Sequence, residues 1–306
     1  MIDYQEYLDL QAELSTLKKM RKKIPESDII DRLSIEGRMD DVEERLASYE
    51  GPFQGPAQFA LTFQGAPISG THGIQANFGG NATHHFTSAV AAIGASQIGT
   101  LGERGAIPNK DNFNLLITGT TKGSFGFVIE EASKDWEISE TKSPVRSAIH
   151  TTITILKAST GTDDELNSAV SGSDPQAIKA VRDFLKYLAN QEATCSLKSK
   201  EEEFTFSDVE HIRQSEKKLS ENNIHEDHIQ CSGYFMGYLP EKREFEFRED
   251  ESKPVISGKV DITVENAEQI NKFLKKQTHI KLMKRRVGVS KNSTYTLLEY
   301  DLAQTT

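Results

Sequence analysis

The chain has 306 residues, of which 36% are hydrophobic and 27% charged, and its formal net charge is −10. That length holds more than one core, and the composition points to a globular protein rather than a disordered or membrane one. No run approaches the roughly 20 apolar residues that a helical bilayer span needs, and the acidity argues against nonspecific coating of nucleic acid.

Only Cys195 and Cys231 are present, with no CxxC spacing, so neither a disulfide framework nor a structural zinc site is expected. The start, MIDYQEYLDLQ, has acids where an export signal has a basic region, which implies a cytoplasmic protein. Charge is uneven. Residues 1–50 carry 8 basic and 13 acidic side chains, whereas residues 228–306 carry 13 and 11, so a polyanion site is sought at the C-terminal end.

Tyr7, Leu10, Leu14, Leu17 and Ile24 repeat at helical spacing before Pro25, and Ile35, Met39, Val42, Leu46 and Tyr49 repeat again after a Ser27 N-cap. Residues 1–50 thus read as a helical hairpin with two coiled-coil-like seams. The seams pack on each other, on the body of the protein, or on a partner. Leu10, Leu14, Leu17, Met39, Val42 and Leu46 are the candidate oligomerisation residues.

Gly51-Pro52-Phe53-Gln54-Gly55-Pro56 marks a boundary, and a central α+β domain is expected over 57–222. Its organising stretch is Asp111–Ala132, where Phe113, Leu115 and Ile117, then Phe125, Phe127 and Ile129, alternate as strands of a central hairpin. An upstream echo has Phe59, Leu61 and Phe63 before Gly65, and then Ile74, Ala76 and Phe78, suggesting a second hairpin of the same antiparallel sheet. A helix capped by Asn81 or Thr83 follows, and Trp136 falls in the loop after the central hairpin. Ser143-Pro144 and Asp174-Pro175 each start a helix. The segment between those helices, STGTDDELNSAVSGS, reads as a surface excursion with one short helical turn. Ala193–Leu197 and Phe204–Phe206 form a short edge pair, and Ser207-x-x-Glu210 opens another helix as a capping box.

Residues 228–302 change character. SGYFMGYL, REFEFRED, PVISGKVDI, HIKLMKRRVGV and STYTLLEYD are five β-like runs with a helical pattern between the third and fourth, the element order of a small OB-like barrel.

His72, His84 and His85 lie within fourteen residues and are the weak catalytic candidates for a metal-assisted hydrolase or nuclease, although no HExxH or CxxC spacing supports them. His225-Glu226-Asp227-His228 offers further donors without a known spacing. Gly123-Ser124-Phe125-Gly126 lacks the first glycine of a nucleophile elbow, because Lys122 stands there. Arg146 and His150, one helical turn apart, can build an RNase-like site between two chains, but read as an exposed Arg and a half-buried His beside Ile149. Lys281, Lys284, Arg285 and Arg286, with Tyr234 and Tyr238 as stacking aromatics, are the candidate contacts to single-stranded nucleic acid. No cofactor motif is read.

The stretch LLITGTTKGSFGFVIEEA, with GTHGIQANFGG before it and SGYFMGYLPEKREFEFR and VISGKV after it, resembles uncharacterised bacterial proteins over most of residues 57–300. Some of those resemble members of accessory gene sets, including phage defence, and the resemblance carries over no site residue. The expectation is a non-enzymatic interaction or scaffold protein that self-associates or docks a partner through residues 1–50.

Overall fold

The computed structural model describes residues 4–22, 24–25, 28–47, 56–99, 101, 107–108, 110–121, 125–132, 143–199 and 202–302. The Ser27 cap, the Gly51–Gly55 boundary, the Gly123-Ser124 turn and Trp136 lie outside them. The protein is α+β, and one of its two compact units is N-terminal and helical. There α1 (Tyr4–Arg21) and α2 (Ile29–Ala47) turn their seams toward each other. Leu10 and Val42 are buried, while Leu14, Leu17, Met39 and Leu46 are half-buried. Arg38–Glu13, Arg21–Glu36 and Lys18–Glu43 pair at 2.7, 2.6 and 3.1 Å. Such exposed pairs orient the helices more than they stabilise them.

The second unit holds a five-stranded antiparallel sheet, its helices and a closed barrel. The sheet runs β4-β5-β1-β6-β7, from β1 (Gln58–Gly65), β4 (Leu115–Thr120), β5 (Phe125–Glu131), β6 (Ala193–Ser199) and β7 (Glu203–Thr205). Strand β1 is central because its alternation puts Phe59, Leu61 and Phe63 on one fully buried face, opposite Ile129, Phe127 and Phe125 of β5. Against that face pack α3 (Ala76–Ile98), α4 (Pro144–Thr160), α6 (Pro175–Asn190) and α7 (Val209–Lys218), whose apolar stripes complete the larger core. Ser143 and Asp174 cap α4 and α6 as the sequence predicts.

Several expectations are corrected. The hairpin β4–β5 lies at the edge of the sheet, with Leu116 and Ile117 exposed, so its heavy apolar load does not mark a central position. The upstream echo is no second hairpin of that sheet. It yields β1 and a separate two-stranded ladder of β2 (Ile68–Ser69) and β3 (Gly73–Ile74). Ala76 and Phe78 belong to α3, whose N-cap is Gln75, and Asn81 and Thr83 lie inside the helix. Phe78, Ala82, Phe86, Val90 and Ile93 are all buried, and this helical period overrides a three-residue alternation. The short helical turn expected between α4 and α6 is present as α5 (Asp163–Ala169), held by a Thr162/Glu165 capping box, but the segment is anchored by buried Leu166 and Val170 rather than lying wholly on the surface. The cap of α7 is Asp208, one residue beyond Ser207.

The barrel is built from β8 (Ile224–Leu239), β9 (Glu244–Arg248), β10 (Ile256–Val260), β11 (Gln277–Val287) and β12 (Thr294–Leu302). Around the ring the order is β8-β9-β10-β12-β11, closed by the antiparallel pairing of β11 with β8, and β10–β12 is a parallel pair. Phe235, Phe245, Phe247, Ile280, Leu282 and Leu297 fill the interior, and Ile270, from a 3-10 turn at Ala267–Lys272, plugs one end. Element order and ring order agree with an OB-like barrel. Strand β8 begins at Ile224, earlier than the apolar pattern indicates, because the polar HEDH run pairs with the basic end of β11.

Candidate ligand groove on the barrel

The β8–β9–β10 side of the barrel has a groove. Two inward phenylalanines on β9, Phe245 and Phe247, leave Glu244 and Glu246 on the outer side of the strand. On β8 the register shifts between Phe235 and Gly237, and Gly237 leaves the sheet surface bare at that point. A groove of about 650 Å³ results, lined by Tyr238, Leu239, Phe245, Glu244, Glu246 and Lys259 among others. Tyr238 and Phe245 are nearly buried and form the floor, while Leu239 is 57% exposed at the edge. Ser171, from the turn between α5 and α6, contributes to one wall.

Polar groups at the rim are fixed unequally. Lys259 Nζ donates to Glu244 Oε1 at 2.8 Å and to the Lys242 carbonyl at 3.2 Å. That bond holds the Glu244 carboxyl below the usual carboxylate range. Glu246 sits opposite Ser257 in the ladder, is exposed, and has no ion-pair or hydrogen-bond partner among the described residues. Asn271 bonds the Tyr238 N–H and carbonyl at 3.0 Å each and so supplies the pairing that a neighbouring strand would supply. Among the described residues the lining holds neither histidine nor cysteine. Its chemistry is that of apolar contact bounded by a free carboxylate.

The residues predicted to bind nucleic acid do not converge. Arg285 is only 1% exposed, and its guanidinium donates to Glu226 at 2.7 Å and to the carbonyls of Val170 and Ser173. It clamps the barrel to the α5–α6 turn and is withdrawn from any surface. Lys281 pairs with Glu299 at 3.0 Å. Lys284 and Arg286 stand opposite Asp227 and His225 in the ladder, and Tyr238 is turned into the barrel core. Tyr234 remains 39% exposed.

The catalytic candidates stay dispersed as well. His84 and His85 follow each other on α3 with ring centroids 6.0 Å apart, and His85 stacks on Tyr187 at 4.9 Å. Burial pushes the His85 imidazole below its ordinary pKa, as does the neighbouring His84. His72 is exposed beside the β2–β3 ladder. Among the described residues, no three of His, Cys, Asp and Glu come together as metal ligands would. Burial pushes the Cys195 thiol up to about 12, and burial together with Glu249 pushes Cys231 up to about 11, so both are inert thiols.

A second hollow of about 400 Å³ places Ser232 Oγ 2.6 Å from His279 Nδ1, with Asp301 opposite His279 in the ladder. No carboxylate pairs with His279 among the described residues, so the three do not form a proton-relay triad. The groove residues Leu239, Glu244, Glu246, Lys259 and Asn271 were missed by sequence reasoning. Glycine inside two strand patterns, at Gly237 and Gly258, is the signal that points to them, since glycine in a strand marks a bulge or close approach.

No helix among the described residues is long and apolar enough to cross a membrane. No protein-family model, no curated protein and no solved structure matches the chain, so the chemistry of the groove is read from its own residues.

Proposed function

We propose that this is a non-enzymatic interaction protein of a bacterial, cytoplasmic accessory system such as phage defence, in which the barrel presents the ligand-binding surface and the N-terminal hairpin mediates self-association or docking. The observation that carries the reading is the groove over β9 and β10, which has an apolar edge at Leu239, a charged rim and, among the described residues of its lining, no nucleophile–base pair. OB-like barrels place ligands on this side, between the second and third strands. The hairpin supports the second half of the reading, because its seams are only partly covered by each other and Met20 and Leu33 are 50% and 63% exposed. The bacterial setting rests on the resemblance carried by LLITGTTKGSFGF. Among the described residues no three side chains converge as the ligands that metal-assisted hydrolysis needs.

Site-specific photo-crosslinking tests the reading. A benzophenone side chain at Leu239, at the groove edge, is expected to capture a protein in bacterial cells, and the same group at Asp250 is not. A crosslink that disappears on nuclease treatment, or equal capture at both positions, contradicts it.

A further inference from the structure

The nature of the ligand follows from the groove's charge and shape, granted the interaction reading above. A volume of about 650 Å³ accommodates one or two bulky side chains with their backbone, within the ~300–1,000 Å³ range of small-ligand sites. Leu239, 57% exposed, offers an apolar edge, while Tyr238 and Phe245 underlie the groove as part of the barrel core. Of the three charged residues described in the lining, Glu244 and Lys259 neutralise each other at 2.8 Å, which leaves Glu246 as the unpaired charge of the lining. A cation beside an apolar group is attracted to that carboxylate and a phosphate is repelled by it.

Recognition by strand addition is closed at this groove. Beneath it β9 is paired with β8 on one side and with β10 on the other, so an incoming peptide finds no free edge on that strand. Side chains must carry the specificity. Ser171 and Ser257 add hydroxyls to the lining, and both can serve the backbone of a bound segment. We propose that the groove binds an extended protein segment in which a lysine or arginine stands beside a bulky apolar residue, the cation meeting Glu246 and the apolar side chain lying against Leu239.

Gly237 provides an independent handle. A Cβ there meets nothing within 4 Å and the residue has no positive φ, so a larger side chain projects into open space above the sheet. Gly258 is unsuitable for the same purpose, because a Cβ would lie 2.1 Å from the Tyr295 carbonyl oxygen.

The test pans a random octapeptide display library on the full-length chain and titrates the most enriched peptide, synthesised with a fluorophore, against the natural protein, Glu246→Lys and Gly237→Leu. The expected result is enrichment of peptides with Lys or Arg within two positions of an aromatic or branched aliphatic residue. Affinity is expected to fall at least about tenfold in Glu246→Lys, the loss that a charge-assisted hydrogen bond carries, and to fall also in Gly237→Leu by occlusion. Glu246→Lys alters an exposed side chain, so it remains informative if Gly237→Leu unfolds. Enrichment of acidic peptides, or of none, overturns the inference. A peptide whose binding Glu246→Lys leaves unchanged also overturns it while leaving the interaction reading standing. Binding of a labelled 20-nucleotide deoxythymidine strand in place of peptides overturns both.

Discussion

Arg285 shows what a single side chain decides in this molecule. Its guanidinium is held by Glu226 and two carbonyls of the α5–α6 turn, so Arg285→Met leaves a carboxylate and two acceptors without their donor. Removing one partner of a buried pair costs about 3–5 kcal/mol, and chemical denaturation is expected to show a loss of that order. A loss below about 1 kcal/mol would mean that the clamp is dispensable. His85 carries a pH dependence. Its folded pKa is depressed, so above the unfolded value neither state holds the proton and stability is at its full level. As pH falls through the unfolded value, ~6.5, the unfolded chain takes the proton first and stability declines until the folded histidine titrates too. Thermal melts from pH 7.5 to 5 are expected to slope less in His85→Gln than in the natural protein, and equal slopes would contradict this. Neither residue's environment was legible in sequence. A KRR run has the same letters whether its middle arginine faces water or a carbonyl cage.

At the scale of elements, α3 depends on a close approach. A Cβ at Gly94 would lie 2.1 Å from the Phe113 ring, so Gly94→Ala is expected to destabilise by about 1–3 kcal/mol, against the roughly 1 kcal/mol gain that the substitution brings to an open helix. Phe113→Leu should recover part of the loss, and a stabilised Gly94→Ala would refute the packing. The hairpin leads to another expectation. Met20, Leu33 and the half-covered seam leucines offer apolar area at some 25 cal/mol per Å² when shared with a second copy. Light scattering is expected to give fewer chains per particle for a variant lacking residues 1–50, and a full-length monomer removes the idea. Elements announced by local chemistry were legible. Ser143-Pro144, Asp174-Pro175 and the five barrel runs carry their own start signals or periods. The start of α3 and the first turns of β8 were not, since Gln75 is a poor cap by type and HEDH becomes a strand only beside β11.

Across the whole molecule, the sheet-and-helix layer and the barrel keep separate apolar cores within one compact unit. Polar contacts join them. Beyond the Arg285 clamp, Val289 N–H and Ser290 Oγ donate to Asp163 and Asp164 at 3.0 and 2.6 Å, and Asn167 donates to the Asn292 carbonyl at 3.2 Å. This junction engages the β11–β12 loop and places the α5–α6 turn beside β10, while the groove over β9 stays open. The barrel as an architecture was legible from five runs and an intervening helical pattern. Its binding side was not, because the glutamates of REFEFRED look like solvated charge until the strand's inward face is assigned.

Hydrogen exchange on the full chain, with and without the captured partner, tests the central claim most directly. Slowed exchange is predicted at residues 237–246 and 256–259, with 281–286 and 72–85 unchanged. Protection centred on 281–286, as a nucleic-acid strand would give, or on 72–85, as a substrate at the histidines would give, contradicts it.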